Sequence, residues 1–475
     1  MSEVKVNKIS PRSGTGLQLG DSGDTITIPA GATITNSGTA AGFGSTGEVS
    51  WNTTVKTGDF TATSGSGFFV NTAGGAVTVT LPSSPSAGNV VAVSDYNGSA
   101  STNTITIGRN SSNINGSASD LLITKSNSAI QLVYVDATTG WQNVTTANPS
   151  DVTNPFVVAT GGTITESGNF KIHTFTGPGT FTVTNAGSSS GSNTVSYLAV
   201  AGGGGGAGDE SNGYGAAGGG AGGFRESKAS TDSYTASPLN ATSGPTYNLP
   251  VSIQGYPIAV GGGGAAGPNP TSGGSRGVNS TFSSIISTGG GGGTAGTAIN
   301  PASPGGSGGG GAGPAASNPQ GAGGIGNTPP VSPPQGNTGG TARTSGTKLG
   351  GGGGGGATAV GEPFQASIPG NTAGDGGAGA TTSISATPTA YGGGGGGGAF
   401  NSVPAGDNTT DGAGGTGGGG PGGQVIPGNS HDAVAGTANT GGGGGGAASN
   451  SPSSPGVVNA GAGGSGIVII RYKFQ

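Results

Sequence analysis

Cysteine is absent from this chain, and methionine occurs only at position 1. No disulfide and no thiolate metal site is therefore possible, and oxidation-sensitive side chains are almost eliminated. Charge is scarce as well. Charged residues are 7% of the 475, aromatic residues 5% and hydrophobic residues 30%. A soluble enzyme usually carries about 25% charged and 45–50% apolar residues. Only the first 200 residues and the last nine hold enough Val, Ile, Leu and aromatic side chains for ordinary cores. The formal net charge is −5, and of 14 basic residues only Arg276, Arg343 and Lys348 fall between positions 229 and 470. A nucleic-acid groove needs clustered Lys and Arg, so no nucleic-acid partner is expected. No apolar run approaches the ~18 residues of a membrane-spanning helix, so no membrane insertion is expected. Met1-Ser2-Glu3-Val4-Lys5 has neither the basic start nor the apolar stretch of a secretory signal, which predicts synthesis without one.

What is present is glycine. Residues 201–466 hold 87 of the 113 glycines, about one residue in three. They come in runs: Gly202–Gly206, Gly261–Gly264, Gly289–Gly293, Gly308–Gly311, Gly350–Gly356, Gly392–Gly398, Gly417–Gly420 and Gly441–Gly446. Such runs lack the strict Gly-X-Y of collagen. An α-helix is disfavoured by about 1 kcal/mol per glycine against alanine, and ordinary strands are weakened too. The remaining regular option is a threefold extended helix, polyglycine II, which rises ~3.1 Å per residue without internal hydrogen bonds. Its N–H and C=O groups radiate in three directions, and without Cβ neighbouring helices approach until those groups bond. Ordering a residue costs ~1–2 kcal/mol, more for glycine, while a net hydrogen bond returns ~0.5–1.5 kcal/mol. A lone run is therefore disordered. A bundle bonded on several sides comes near balance and needs an apolar anchor.

That anchor is legible at both ends. Phe170–Thr176 and Thr180–Thr184 flank Gly177-Pro178-Gly179 and read as a β-hairpin. Val195–Val200 then runs straight into the first glycines, and Gly466 runs straight into Ile467–Phe474. The last strand is predicted to pair with the strands of 170–200, giving a hydrophobic base to a glycine-rich tip domain over 151–475, with strands 168–200 and 467–474 bracketing runs 201–466. Upstream, 49–150 offers strands every 10–15 residues, such as Val77–Leu81, Val90–Val93, Thr104–Ile107 and Ile130–Val135. This predicts a small antiparallel β sandwich or barrel. Trp51 and Trp141 near its ends are candidates for stacking on sugar, or plain core aromatics. Residues 1–48 hold short alternating strands, including Asp24–Pro29 and Ala32–Thr35, too thin to bury a core alone. They imply a homotrimer or a docking partner. The fold class is thus all-β with a polyglycine II bundle and no significant α-helix.

No catalytic constellation emerges. Lys348 precedes its glycine run, whereas a phosphate loop needs a following Lys-Ser/Thr and a helix. His173 and His431 have no second His nearby, Asp209 and Glu210 read as a solvated loop, and no nucleophile elbow appears. No enzyme activity, cofactor or metal is expected. The segments between runs are read as displayed loops: Phe224–Val260 with Tyr234, Tyr247 and Tyr256; Ala312–Leu349 with Arg343 and Lys348; Ala357–Tyr391 with Phe364 and Tyr391; Ala399–Thr416 with Phe400; Gln424–Thr440 with His431. Aromatics and isolated charges on loops suit a binding surface.

Two stretches carry a resemblance. Lys8–Gly14 through Gly31–Gly38 resembles the start of tail-fibre-type structural proteins of marine, cyanobacterial-type tailed phages. Tyr197–Ala201, Gly219–Phe224 and Gly463–Tyr472 resemble the glycine-rich domain of phage tail-fibre proteins, and are similar in style to distal adhesins in which polyglycine helices support receptor-binding loops. The resemblance implies a virion protein whose N-terminal segment, with Val4, Val6, Ile9, Leu17 and Leu19, attaches to tail or neck proteins. Its tip would bind a host-surface glycan or outer-membrane protein. A purely structural fibre or decoration protein, and a secreted ice- or surface-binding protein, are the alternatives.

Overall fold

The computed structural model describes residues 49–146, 152–153, 155–188, 191–208, 215–268, 272–295, 302–312, 321–345, 348–365, 371–401, 409–425, 430–448 and 458–475, with Thr25 and Thr27. The rest of 1–48, with Val4, Val6, Ile9, Leu17 and Leu19, lies outside the described residues. The chain divides into two units, Met1–Val49 and Ser50–Gln475. All regular elements described are β-strands.

The second unit begins with β1 (Ser50–Lys56), β2 (Phe60–Thr61), β3 (Ser66–Val70), β4 (Val77–Thr80), β5 (Val90–Asp95), β6 (Ile105–Gly108), β7 (Leu121–Ile123), β8 (Ala129–Asp136), β9 (Gly140–Thr146) and β10 (Val152–Thr153). They form two five-stranded sheets, ordered β1-β3-β5-β8-β9 and β10-β7-β6-β4-β2. Val70, Val93, Leu132 and Trp141 of the first sheet and Val79, Ile107 and Ile123 of the second share one core. The pairs among β1, β3 and β5, and among β2, β4 and β6, are parallel. Successive strands alternate between the sheets, so the chain coils before it turns antiparallel at β7 and β8. This corrects the antiparallel expectation, and neither sheet closes into a barrel. Period-two patterning reports which face is buried, not whether a strand pairs with its predecessor or with the one before that. Trp141 is fully buried, which removes it as a sugar platform. Trp51 is 41% exposed; its indole lies over Gly67, where an added Cβ would come within 2.7 Å of the ring. β10 belongs to this sandwich although it lies past position 150.

A second sandwich follows. β11 (Val157–Thr160), β14 (Gly179–Ala186), β18 (Gly255–Ala259), β19 (Ser280–Phe282) and β20 (Ile285–Ser287) make one sheet. The other is ordered β12 (Thr163–Ser167), β13 (Phe170–Phe175), the C-terminal strand Ile467–Lys473, β15 (Thr194–Val200) and β16 (Phe224–Ser227), with β17 (Leu249–Pro250) also on β15. The predicted pairing of chain end with chain middle is present: Val468 faces Phe175 and Ala199, in antiparallel register on both sides. The predicted β13–β14 hairpin is not. Gly177-Pro178-Gly179 instead carries the chain from one sheet to the other, which lets Phe175 and Phe181 enter the same core. Along the C-terminal strand Val468, Ile470 and Tyr472 point into that core, while Ile467 and Ile469 join Leu198, Phe224, Tyr234 and Tyr391 on the opposite face. A strand buried on both faces needs no polar alternation, which explains the run Ile467–Ile470.

Above this base the glycine runs form a lattice of threefold helices. The helix 202–207 donates N–H bonds in strict rotation: Gly202 and Gly205 to Val278 and Ser275, Gly203 and Gly206 to Gly464 and Gly461, Gly204 and Ala207 to Gly220 and Ala217. Those three neighbours run antiparallel to it. It accepts from three parallel ones: Gly290 and Gly293, Gly264 and Gly267, Gly444 and Ala447. A repeat of three with six bonded neighbours is the polyglycine II arrangement. The fit excludes Cβ: one added at Gly204 would lie 2.1 Å from the Gly291 carbonyl oxygen, and one at Gly219 2.1 Å from that of Gly204. Gly392 and Gly441 open their runs at φ of +74° and +70°, a region glycine enters without steric cost.

Candidate functional site

The helix 201–208 leaves the base at Val200, and antiparallel helices such as 272–278 return to it. The lattice therefore has a base end and a far end. The segments read as free loops contain more lattice. In 272–278, Gly274 and Gly277 face inward, where added Cβ atoms would lie 1.9 and 2.0 Å from the carbonyls of Gly205 and Gly202. Ser275, Arg276 and Val278 face solvent. Gly436 repeats the pattern in the helix 433–437, where an added Cβ would lie 2.2 Å from the Gly442 carbonyl oxygen. Outer helices thus need glycine only every third residue, and Ile325, Val360 and Val434 stand exposed on them. Glycines three apart in the supposed loops are the sequence signal that marks these helices.

At the far end, strands Arg343–Ser345, Lys348–Gly350, Ala399–Asn401 and Gln424–Val425 form a four-stranded sheet. Phe400 packs with Val425, Ala448 and Val458 beneath it. Phe364 is fully buried and occupies the space a Cβ would need at Gly350. Nearby, His431 Nε2 lies 3.6 Å from Asp411 Oδ1, with the His431 side chain 44% exposed. Burial pushes the Asp411 carboxyl up; His431 opposes that shift and Asp375 adds to it. Asp375 Oδ1 accepts the Ala413 N–H at 2.7 Å, and Asp432 Oδ1 accepts that of Asn459 at 2.7 Å. These carboxylates tie outer helices to one another. Among the described residues no group of three or more His, Cys, Asp or Glu is placed to hold a metal.

The candidate binding residues divide by end. Arg343 and Lys348 stand on far-end strands, Phe364 and Phe400 are buried under that end, and His431 is exposed there. Tyr234, Tyr256 and Tyr391 are not on displayed loops. Tyr256 lies on β18 in the base core, while Tyr234 and Tyr391 pack on the other face of the base sheet. Tyr247 is half-buried. The reason is that Phe224–Val260 carries β16, β17 and β18, and Tyr391 ends the strand Thr389–Tyr391 that packs with Leu198 and Phe224, so these aromatics are spent on the base.

Sequence reading missed the polar network there. Arg471 donates from Nε to Asp232 Oδ1 at 3.0 Å, and its guanidinium lies over the rings of Phe170 at 4.5 Å and Tyr234 at 5.6 Å. Ser196 Oγ donates to the same carboxylate at 2.8 Å. Glu226, also buried, accepts the Ser237 N–H at 2.9 Å and the Thr382 hydroxyl. An arginine directly after the apolar run Ile467–Ile470 was the available signal, because a buried charge needs a partner.

Against known families, the model of a glycine-rich domain matches residues 173–473, from β13 to the end of the C-terminal strand. The chain belongs to the glycine-rich domain family. No curated protein matches it. The match spans every glycine run and the C-terminal strand, and begins within β13, so β11 and β12 of the base lie outside it. The sandwich of β1–β10 stands outside it.

Proposed function

We propose that this glycine-rich domain protein is a tail-fibre-type appendage protein of a tailed phage, with the far end of the lattice as its receptor-binding tip. One observation carries the reading: both chain ends of the lattice are held at the base, while the described elements of the far end are joined in sequence by segments of unlike length. Segments 209–214, 313–320, 402–408 and 449–457 differ in length and residue order, though each contains Ser, Asn and Gly. A scaffold that needs only glycine spacing leaves such connections free to diversify, which suits recognition of a host-surface glycan or outer-membrane protein. In this reading residues 1–48 attach to tail or neck proteins and three copies associate. The test is binding of labelled full-length protein to host cells and its competition with phage adsorption. Replacing 313–320 and 402–408 by Gly-Ser segments is expected to abolish binding while leaving the melting temperature unchanged. Retained binding overturns the tip assignment, and a monomer by sedimentation overturns the trimer.

A second reading, a structural fibre or decoration protein without receptor binding, is favoured by the burial of Tyr234, Tyr256, Phe364, Tyr391 and Phe400. Absence of both cell binding and competition would select it.

A further inference from the structure

His173 on β13 has no solvent exposure. Its Nδ1 lies 2.7 Å from the Gly161 carbonyl oxygen, which only accepts, so Nδ1 carries the proton. Nε2 is then the bare nitrogen and accepts the Tyr472 hydroxyl at 3.1 Å. The Tyr472 oxygen in turn accepts the Ala159 N–H at 3.1 Å. One imidazole thereby ties β13 to the C-terminal strand and, through Tyr472, to β11 of the opposite sheet. The ring stacks on Tyr472 at 5.4 Å and meets Phe181 edge-on at 5.1 Å.

We propose that His173 is an acid-sensitive latch on the base: protonation breaks its bond to Tyr472 and frees the C-terminal strand that anchors the lattice. The inference is independent of any receptor. An imidazolium would point a second N–H at a hydroxyl that donates to Nε2 and already accepts from Ala159, so the Tyr472 proton would lose its acceptor inside an aromatic core. The Gly161 carbonyl, which already accepts from Nδ1, is the one named contact that favours the charged ring, and burial outweighs it. Gly161 supplies only its carbonyl from the β11–β12 turn, β14 supplies Phe181, and the C-terminal strand supplies the uncharged Tyr472. Lys171, on the same strand as His173, repels the added charge, and Glu166 on β12 is engaged with Lys171 at 3.6 Å. Burial holds the His173 pKa below its usual value; the bond to the Gly161 carbonyl opposes that shift and Lys171 adds to it. Burial pushes the Tyr472 hydroxyl up to about 12, so it keeps its proton. Because the folded value is depressed, the contribution is present above the unfolded value of about 6.5 and is lost as pH falls below it toward the folded value.

The chain has only two histidines, which makes the test clean. In the full-length protein, the two imidazole C2–H resonances are followed by NMR from about pH 7.5 to about pH 5. Amide exchange of Ile467–Lys473, corrected for its intrinsic pH dependence, is measured in parallel. His173 is expected to titrate only below the ordinary imidazole range. Strand exchange should accelerate by about tenfold per unit of pKa depression. The acceleration should persist in His431→Gln and vanish in His173→Gln, whose amide can donate and accept at the same place. Equal acceleration in His173→Gln and the parent chain overturns the latch. So does a His173 resonance that titrates at the ordinary value while the strand stays protected. Should His173→Gln fail to fold, the resonance and exchange data on the parent chain decide alone.

Discussion

Around Phe181 the chain is held by side chains; around Gly204 it is held by backbone. Phe181 meets Phe282 and Tyr472 at centroid distances of 6.1 Å, and burial of those rings supplies the driving force. Gly204 touches nothing but peptide groups: it donates to Gly220 and accepts from Gly444. In the base, removing atoms does the damage. In the lattice, adding one does. The two regions also depend on each other unequally. A helix such as 202–207 has no side chain to bury, and its hydrogen bonds barely offset the ordering of glycine. It persists because β15 and the C-terminal strand enter the lattice from a buried sheet.

The largest expected effect comes from Gly219→Val. Its Cβ would lie 2.1 Å from the Gly204 carbonyl oxygen, and backbone on all sides leaves nothing to yield. Loss of more than about 4 kcal/mol is expected, seen as insolubility or loss of the cooperative thermal transition; a native-like melting temperature would break the comparison. Next is Phe181→Ala, expected to cost about 3–5 kcal/mol. It touches no glycine run, yet amide exchange across 202–206 should accelerate if the base anchors the lattice. Tyr472→Phe removes the hydroxyl between His173 and Ala159 and should cost about 1–3 kcal/mol by chemical denaturation. The smallest effect sharpens the contrast. Gly262 belongs to a run of four, but a Cβ there meets nothing within 4 Å. Gly262→Ala should stay within about 0.5 kcal/mol of the parent chain, although the residue replaced is chemically the same as Gly219.

Gly219 and Gly262 look alike in sequence, and that marks how far sequence reaches. The polyglycine II choice was legible because runs such as Gly350–Gly356 exclude collagen, helix and ordinary strand by local sterics. The base was legible because Val195–Val200 and Ile467–Phe474 are apolar runs adjoining glycine at opposite ends of the domain. Of the residues read as lying on loops, Arg343 and Lys348 stand on far-end strands and His431 beside them. Sequence misplaced Tyr234, Tyr256 and Tyr391, because an aromatic between two glycine runs reads the same whether its segment is displayed or folded back on the base.

Local chemistry thus settled the all-β character, the threefold glycine helices and the apolar strands that bracket them, since each follows from what a residue does to its own backbone or to the face of its own strand. The rest required contacts distant in sequence. The parallel coil of β1–β6, the crossing of Gly177-Pro178-Gly179 between sheets, the meeting of Arg471 with Asp232 and the division into inner and outer glycines all depend on which segments become neighbours. Period and composition carry no record of that, because a strand or a glycine helix presents the same pattern to every partner that can reach it.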